Sequence, residues 1–315
     1  MAERSRFSLF TAVVFVMAGV LSGWGLVAAG SGSRFAAAYF RQVGAGDAVL
    51  TVFPLGSEAA RDAALPTGLA TFNLISFAAD GRSAYLQEPS AAVLSRSDAL
   101  VKVDFDPMRR APVPGSGGMG EISSLTVSPG SGHIFVSASG GADRLCGAYE
   151  IDPESRTHRP LRVGNGPQCG GGMGSVSPDG TQLLATDGGY LSLLNLETGE
   201  RRPLGAGAGS WSPDGRRIAA SVRGRILLID VRNPSLRKDL GMAGIDNRLI
   251  WSPDSKLLLF AKREMRCSFL HLFQVDDAES LKVVDVETGK RNTIQSARCA
   301  VTSSAVGWID QEAIR

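Results

Sequence analysis

One turn motif, met six times along the chain, predicts an all-β fold: a β-propeller of about six four-stranded antiparallel blades, preceded by one N-terminal transmembrane helix. Three observations carry this. The motif recurs at blade-sized intervals, and its clearer copies are followed by a second hairpin. Glycine supplies 38 of 315 residues, well above its usual share of about 7%. Glycine at that level without a collagen period implies many tight turns, and many turns imply many short strands.

The N-terminal element comes first in the chain. A short stub, residues 1–6, precedes a continuous apolar run from Phe7 to Gly30. At about 1.5 Å per residue, such a run spans the hydrocarbon layer of a bilayer as a helix. Arg4 and Arg6 precede it, so the stub stays cytoplasmic and the remainder is exported. A cleaved signal peptide is the rival reading, with small residues at Val27-Ala28-Ala29, but the run is long for a signal-peptide core. No cysteine follows directly to take a lipid. Both readings export the rest, to periplasm or extracellular space. The expected organisation is a stub at 1–6, a signal-anchor at 7–30, a juxtamembrane linker at 31–47 and a propeller at 48–315.

The repeat occupies the remainder. Its clearest copies are GSVSPDGTQLLAT, GSWSPDGRRIAAS and LIWSPDSKLLLFA; weaker ones are ISFAADGRSAYL, LTVSPGSGHIFVS and AVGWIDQEAI. The residue before the Ser-Pro slot falls at Phe77, Val127, Val176, Trp211, Trp251 and Trp308, spaced by 50, 49, 35, 40 and 57 residues. Proline presets φ near −65° and Asp-Gly supplies a positive-φ position, so Pro-Asp-Gly joins two strands in a hairpin. Downstream lie VDFDPMRRAP, YEIDPESRTHRP, LLNLETGERRPL, LIDVRNPSLRKD and VVDVETGKRNTI. Each is an apolar strand, a polar turn and a basic strand. Two hairpins per unit give four strands, and about 40 residues is the size of a propeller blade.

The sixth unit stops after its first hairpin, at Arg315. An open ring would expose strand edges, so the N-terminal segment should supply the missing outer strands, with Ala48 to Leu55 the favoured segment. Between that and the first blade, Ser57 to Pro66 reads as a short helix capped by Ser57. Trp-Ser-Pro-Asp-Gly-Arg-Arg-Ile at Trp211 to Ile218 and Trp-Ser-Pro-Asp at Trp251 to Asp254 resemble the TolB-like and WD-like propeller repeat, over roughly residues 72 to 315. Irregular spacing, the lost Asp-Gly at Ser131-Gly132 and the worn last copy depart from that pattern. The resemblance implies a protein-interaction platform in the cell envelope.

The four cysteines are Cys146, Cys169, Cys267 and Cys299, without a zinc-type CxxC pair. Cys146 and Cys267 fall between second and third strands; Cys169 and Cys299 fall in connections to the next unit. In a four-stranded meander those connections share one face. Disulfides Cys146–Cys169 and Cys267–Cys299 are therefore expected, and an exported compartment permits them. Four unrelated buried thiols would not explain the matched placement.

Other signals are bland. Basic side chains number 33 and acidic ones 31, a balance that argues against nucleic acid as the main partner. No Gly-x-Ser-x-Gly, HExxH, EF-hand or Walker motif occurs. His133 and His271 lie in strand-like runs and His158 in a turn, where lone histidines are more often structural than catalytic. Gly115 to Gly120 matches GxGxxG and Gly170 to Gly174 echoes it, but a phosphate cradle needs a helix after it. Crowding of inner strands around the axis explains these glycines better. Arg109, Arg110, Arg201, Arg202, Arg216, Arg217, Arg223 and Arg225 are read as outer-hairpin charges that discourage edge pairing. Asp104, Asp152, Asp230 and Asp285 are read as turn residues. No catalytic residue, metal ligand or cofactor site is assigned. The expected function is non-catalytic: a membrane-tethered propeller binding a protein or peptide. The alternatives are a lactonase-like or glycan-processing channel enzyme, and a carbohydrate binder stacking sugars on Trp211, Trp251 and Trp308.

Overall fold

The computed structural model describes residues 34–43, 47–55, 60–64, 74–88, 99–117, 119–140, 147–161, 172–187, 189–242, 249–266, 276–296 and 306–314. The N-terminal apolar run and all four cysteines lie outside the described residues. Among those described, no helix is long and apolar enough to cross a membrane.

The chain opens with β1 (Phe35–Val43), β2 (Asp47–Pro54) and β3 (Arg61–Ala64). Blade 1 follows as β4 (Ile75–Phe77), β5 (Ser83–Glu88), β6 (Ala99–Phe105) and β7 (Met108–Pro112). Blade 2 is β8 (Gly120–Val127), β9 (Ile134–Gly140), β10 (Gly147–Asp152) and β11 (Thr157–Leu161). Blade 3 is β12 (Gly172–Val176), β13 (Gln182–Asp187), β14 (Tyr190–Asn195) and β15 (Arg201–Ala206). Blade 4 is β16 (Ala208–Trp211), β17 (Arg217–Val222), β18 (Arg225–Asp230) and β19 (Arg237–Met242). Blade 5 is β20 (Ile250–Trp251), β21 (Leu257–Arg266), β22 (Asp276–Asp285) and β23 (Arg291–Ser296). The last strand, β24 (Val306–Asp310), runs into a 3-10 turn at Gln311–Ile314. Five sheets follow chain order; the sixth is ordered β24-β1-β2-β3. The predicted six-bladed ring is therefore present; five innermost strands end on the residue marked by the motif, and the sixth, β24, contains Trp308 and ends at Asp310.

Six clusters of buried apolar residues fill the six seams between blades. Strand β1 shows how the ring closes. Ala36, Ala38 and Phe40 pack toward blade 1, while Ala37 and Tyr39 pack toward blade 5. A strand buried on both faces carries a continuous apolar run instead of an alternating one.

Three expectations are corrected. Residues 35–43, read as part of the linker 31–47, are β1, so the propeller begins earlier than Ala48. The sixth blade contributes only β24 from its C-terminal end, not a hairpin, and three N-terminal strands complete it. Within the segment read as a helix from Ser57 to Pro66, Arg61–Ala64 is instead the outer strand β3, paired with Val49–Val52. Thr51 Oγ1 donates to Asp62 Oδ1 across this pair at 2.6 Å, and Ala63 packs on the seam. A helix this short is marginal by itself, whereas β2 presents a row of backbone groups that need a partner.

Candidate functional site

The repeat motif builds one face of the disc. In blade 4, Ser212 Oγ donates to Asp214 Oδ1 (2.6 Å) and accepts from the Arg217 N–H (2.9 Å), while Asp214 accepts from the Arg216 N–H (3.0 Å). Blades 3 and 5 repeat the scheme through Ser177 with Asp179 and Ser252 with Asp254. Gly180 and Gly215 take the positive-φ position with φ of 73° and 71°, and in blade 5 Ser255 takes it with φ of 60°. These turns abut around the ring. The Asp214 N–H donates to Ser255 Oγ at 3.1 Å, Ser128 Oγ donates to the Pro178 carbonyl at 3.3 Å, and the Asp310 N–H donates to the Gly81 carbonyl at 2.8 Å. The third-to-fourth strand turns emerge on this same side. Asp152, Asn195, Asp230 and Asp285 accept turn N–H groups there, as read for three of them; Asp104 instead pairs with Lys102 and Arg109. We call this side the turn face and the opposite one the far face.

The turn face also holds the ring's clasp. The Asp310 side chain is fully buried. It accepts from Arg34 Nε (3.0 Å) and Nη2 (2.6 Å) and from Arg82 Nε (3.3 Å). Hydrogen bonding from Arg34 outweighs burial and holds the Asp310 carboxyl below its ordinary range. The Gln311 N–H donates to the Arg34 carbonyl at 2.9 Å, tying both ends of the described chain together.

Inner strands of all six blades line an axial cavity of about 450 Å³. Its polar lining is hydroxyl: Ser76, Ser123, Ser124, Thr126, Ser175 and Ser210, along with Thr186. Apolar side chains such as Ile75, Leu125, Ile250 and Val306 supply much of the rest. Among the described residues no carboxylate, amine, guanidinium, imidazole or thiol lines it. Glycines in these strands lie where a Cβ would strike backbone or packed side chains. At Gly174 it would come within 2.6 Å of the Leu184 carbonyl oxygen, at Gly209 within 2.9 Å of Leu191 Cδ2, and at Gly307 within 2.0 Å of the Phe77 ring. Crowding thus explains Gly174, Gly209 and Gly307, whereas Gly117 faces open space and Gly115 meets the Arg156 backbone; Gly120 opens strand β8, where a phosphate cradle would need a helix.

The three inner tryptophans are buried, at 5%, 6% and 2% exposure for Trp211, Trp251 and Trp308. Their indoles pack in the seams, and two bond the neighbouring blade: Trp251 Nε1 to the Ser210 carbonyl and Trp308 Nε1 to the Ile250 carbonyl, both at 3.1 Å. They offer no stacking faces, which removes the carbohydrate-stacking alternative.

Other singled-out residues are structural. His133 Nδ1 lies 2.5 Å from Glu150 Oε1, and Arg159 holds the other carboxylate oxygen. His158 Nδ1 bonds the Gly115 carbonyl; His271 lies outside the described residues. Arg109 and Arg110 are on outermost β7, and Arg201 and Arg202 on outermost β15, as expected. Arg216 and Arg217 are not on an outer hairpin. The Pro-Asp-Gly turn joins the first strand to the second, so Arg217 begins the second strand, its guanidinium 5.5 Å from the Trp251 ring of blade 5 and paired with Glu287. Arg223 and Arg225 sit at the second-to-third strand turn of blade 4. Sequence reasoning missed the Arg34–Asp310–Arg82 clasp. Its only signal was Asp310 in the worn sixth copy, which lacks the Ser-Pro that makes the other copies recognisable. Among the described residues no group of three His, Cys, Asp or Glu could hold a metal.

No protein-family model matches the sequence, and no curated protein does either. Among solved structures the fold is that of TolB. TolB from Acinetobacter baumannii superposes with a TM-score of 0.62 at 15% identity, over 87% of this chain and 66% of that one; this chain thus spans about two thirds of that protein's length. A second structure assigned as TolB, from Agrobacterium tumefaciens, gives 0.59 at 15% identity, over 81% of this chain and 91% of that one. A structure assigned as a 6-phosphogluconolactonase from Bacteroides uniformis gives only 0.41 at 15% identity, over 85% and 84% of the two chains, and bears on no activity. The chain is a TolB-like six-bladed propeller in its fold.

Proposed function

We propose that this propeller is a non-catalytic binding module, exported and tethered to the membrane by residues 7–30, that engages a protein or peptide of the cell envelope. The observation that carries the reading is the axial cavity, whose described lining is hydroxyl and apolar, without an ionisable side chain. Hydroxyls serve both N–H and C=O groups of a peptide, and apolar walls favour its side chains. General acid–base, nucleophilic or metal-assisted chemistry calls for ionisable groups converging on one point, and this wall supplies none.

The apolar run and its preceding arginines support the tether, and the fold shared with TolB structures supports the envelope setting. The proposed disulfides Cys146–Cys169 and Cys267–Cys299 fit an oxidising compartment. Crosslinking in intact envelopes, followed by purification of the full chain, tests the binding role. One envelope protein recovered with the full chain, and again with a propeller beginning at Arg34, is the expected result. Retention of a metal or small molecule without any protein partner would turn the reading toward a channel enzyme.

A further inference from the structure

The clasp determines which way a tethered propeller must point. Inner strand β24 runs toward the turn face, because its end at Asp310 meets the blade 1 turn at Gly81 and Arg82. Strand β1 is antiparallel to it, with Phe35 opposite Asp310. The described chain therefore starts on the turn face, at Arg34, whose guanidinium is held by buried Asp310. Only Ser31, Gly32 and Ser33 separate Arg34 from the apolar run ending at Gly30. Fully extended, the steps from Gly30 to Arg34 reach about 14 Å.

The point of attachment is also central. β1 is the strand next to β24 in the closing blade, about 4.8 Å further from the axis than the innermost strand. A short leash near the hub of a disc keeps one whole face close to the anchor, whereas a leash at the rim would let the disc stand on edge. The turn face suits such apposition, because its motif connections are tight, mutually bonded turns. It also carries one of the three large apolar side chains left exposed among the described residues, Leu236 at 62%. Tyr190 and Met242, the other two, are on the far face at 68% and 56%.

We infer that the turn face lies against the bilayer surface, which leaves the far face, with Tyr190 and Met242, turned toward partners. This rests on the tether proposed above. A partner would then meet Tyr190 and Met242, not the repeat motif.

The test uses the full chain in lipid vesicles, with a photoreactive amino acid at Leu236 or at Tyr190. Lipid adducts at Leu236 should exceed those at Tyr190 several-fold. A Gly/Ser insert of about 20 residues between Gly32 and Ser33, reaching roughly 25 Å root-mean-square, should erase that difference while the protein stays with the vesicles. Equal or reversed labelling in the uninserted, vesicle-bound chain overturns the apposition and leaves the tether standing. A mature chain found without residues 1–30, or free of the vesicles, overturns the tether and the apposition with it.

Discussion

Blades 4 and 6 do the same structural work by opposite means. Blade 4 is one continuous stretch, Ala208–Met242, in which neighbouring strands are neighbours in sequence. Its first turn carries the whole motif, with Ser212 and Asp214 satisfying local N–H groups. Blade 6 joins β24 to strands from the other end of the chain, and its clasp bonds residues 276 apart. It lacks the Ser-Pro-Asp-Gly turn, and a buried carboxylate held by two arginines replaces it. Local turns cost little entropy to close, whereas a closure of this span costs more and forms only once the ring is nearly complete. The repeat therefore specifies single blades, and non-repeating residues specify the ring.

Four changes would break or sharpen that contrast, the largest first. A protein starting at residue 65 should lose the single cooperative melt of the protein starting at Arg34, and should aggregate through the bared edge of β24. Circular dichroism and size-exclusion chromatography read this, and an unchanged melt would show that blade 6 is dispensable. Reducing the proposed disulfides should cost roughly 3 kcal/mol each by the chain-entropy relation, acting in blades 2 and 5 and not at the clasp. A count of four free thiols in the folded, unreduced protein would contradict the pairing.

Asp310→Ala should cost about 1–2 kcal/mol, a modest figure because Arg34 and Arg82 remain half-exposed to water. Its pH dependence identifies the cause. The folded carboxyl titrates below its unfolded value, so its contribution is present above the unfolded aspartate pKa of about 3.9 and is lost as pH falls through the folded value. The variant should accordingly lose less stability than the parent in urea titrations between neutral and strongly acidic pH. Asp214→Ala should have the smallest effect, about 1 kcal/mol, with no change in ring closure by size-exclusion chromatography.

Much of the fold was legible because each motif copy is a local instruction. Phe77, Val127, Val176, Trp211 and Trp251 each end an innermost strand and Trp308 lies within one, and the turn chemistry follows from Ser, Pro, Asp and Gly within a few residues of one another. Strand β1 was not legible. Ala36–Phe40 shows no alternation, since both its faces are buried, and an alanine-rich segment beside an apolar run looks like a linker. Strand β3 was misread as helix for a related reason: Arg61–Ala64 is a strand only because β2 stands beside it. The cavity's lining was not legible in the same way: the innermost strands contain Glu121 and Asp310, and only the fold keeps both out of the described lining.

By itself, then, the sequence determined the blade, its two hairpins and the recurrence that sets the number of blades, all of which rest on turn chemistry repeated about every 40 residues of chain. Only the tertiary structure decided which segments close the ring, that Asp310 is the buried centre of the clasp, and that the chain leaves the propeller on the turn face beside the axis. Those features depend on pairings between the two ends of the chain. Such pairings carry no period, and they follow from the need to satisfy the last free strand edge and fill the last seam.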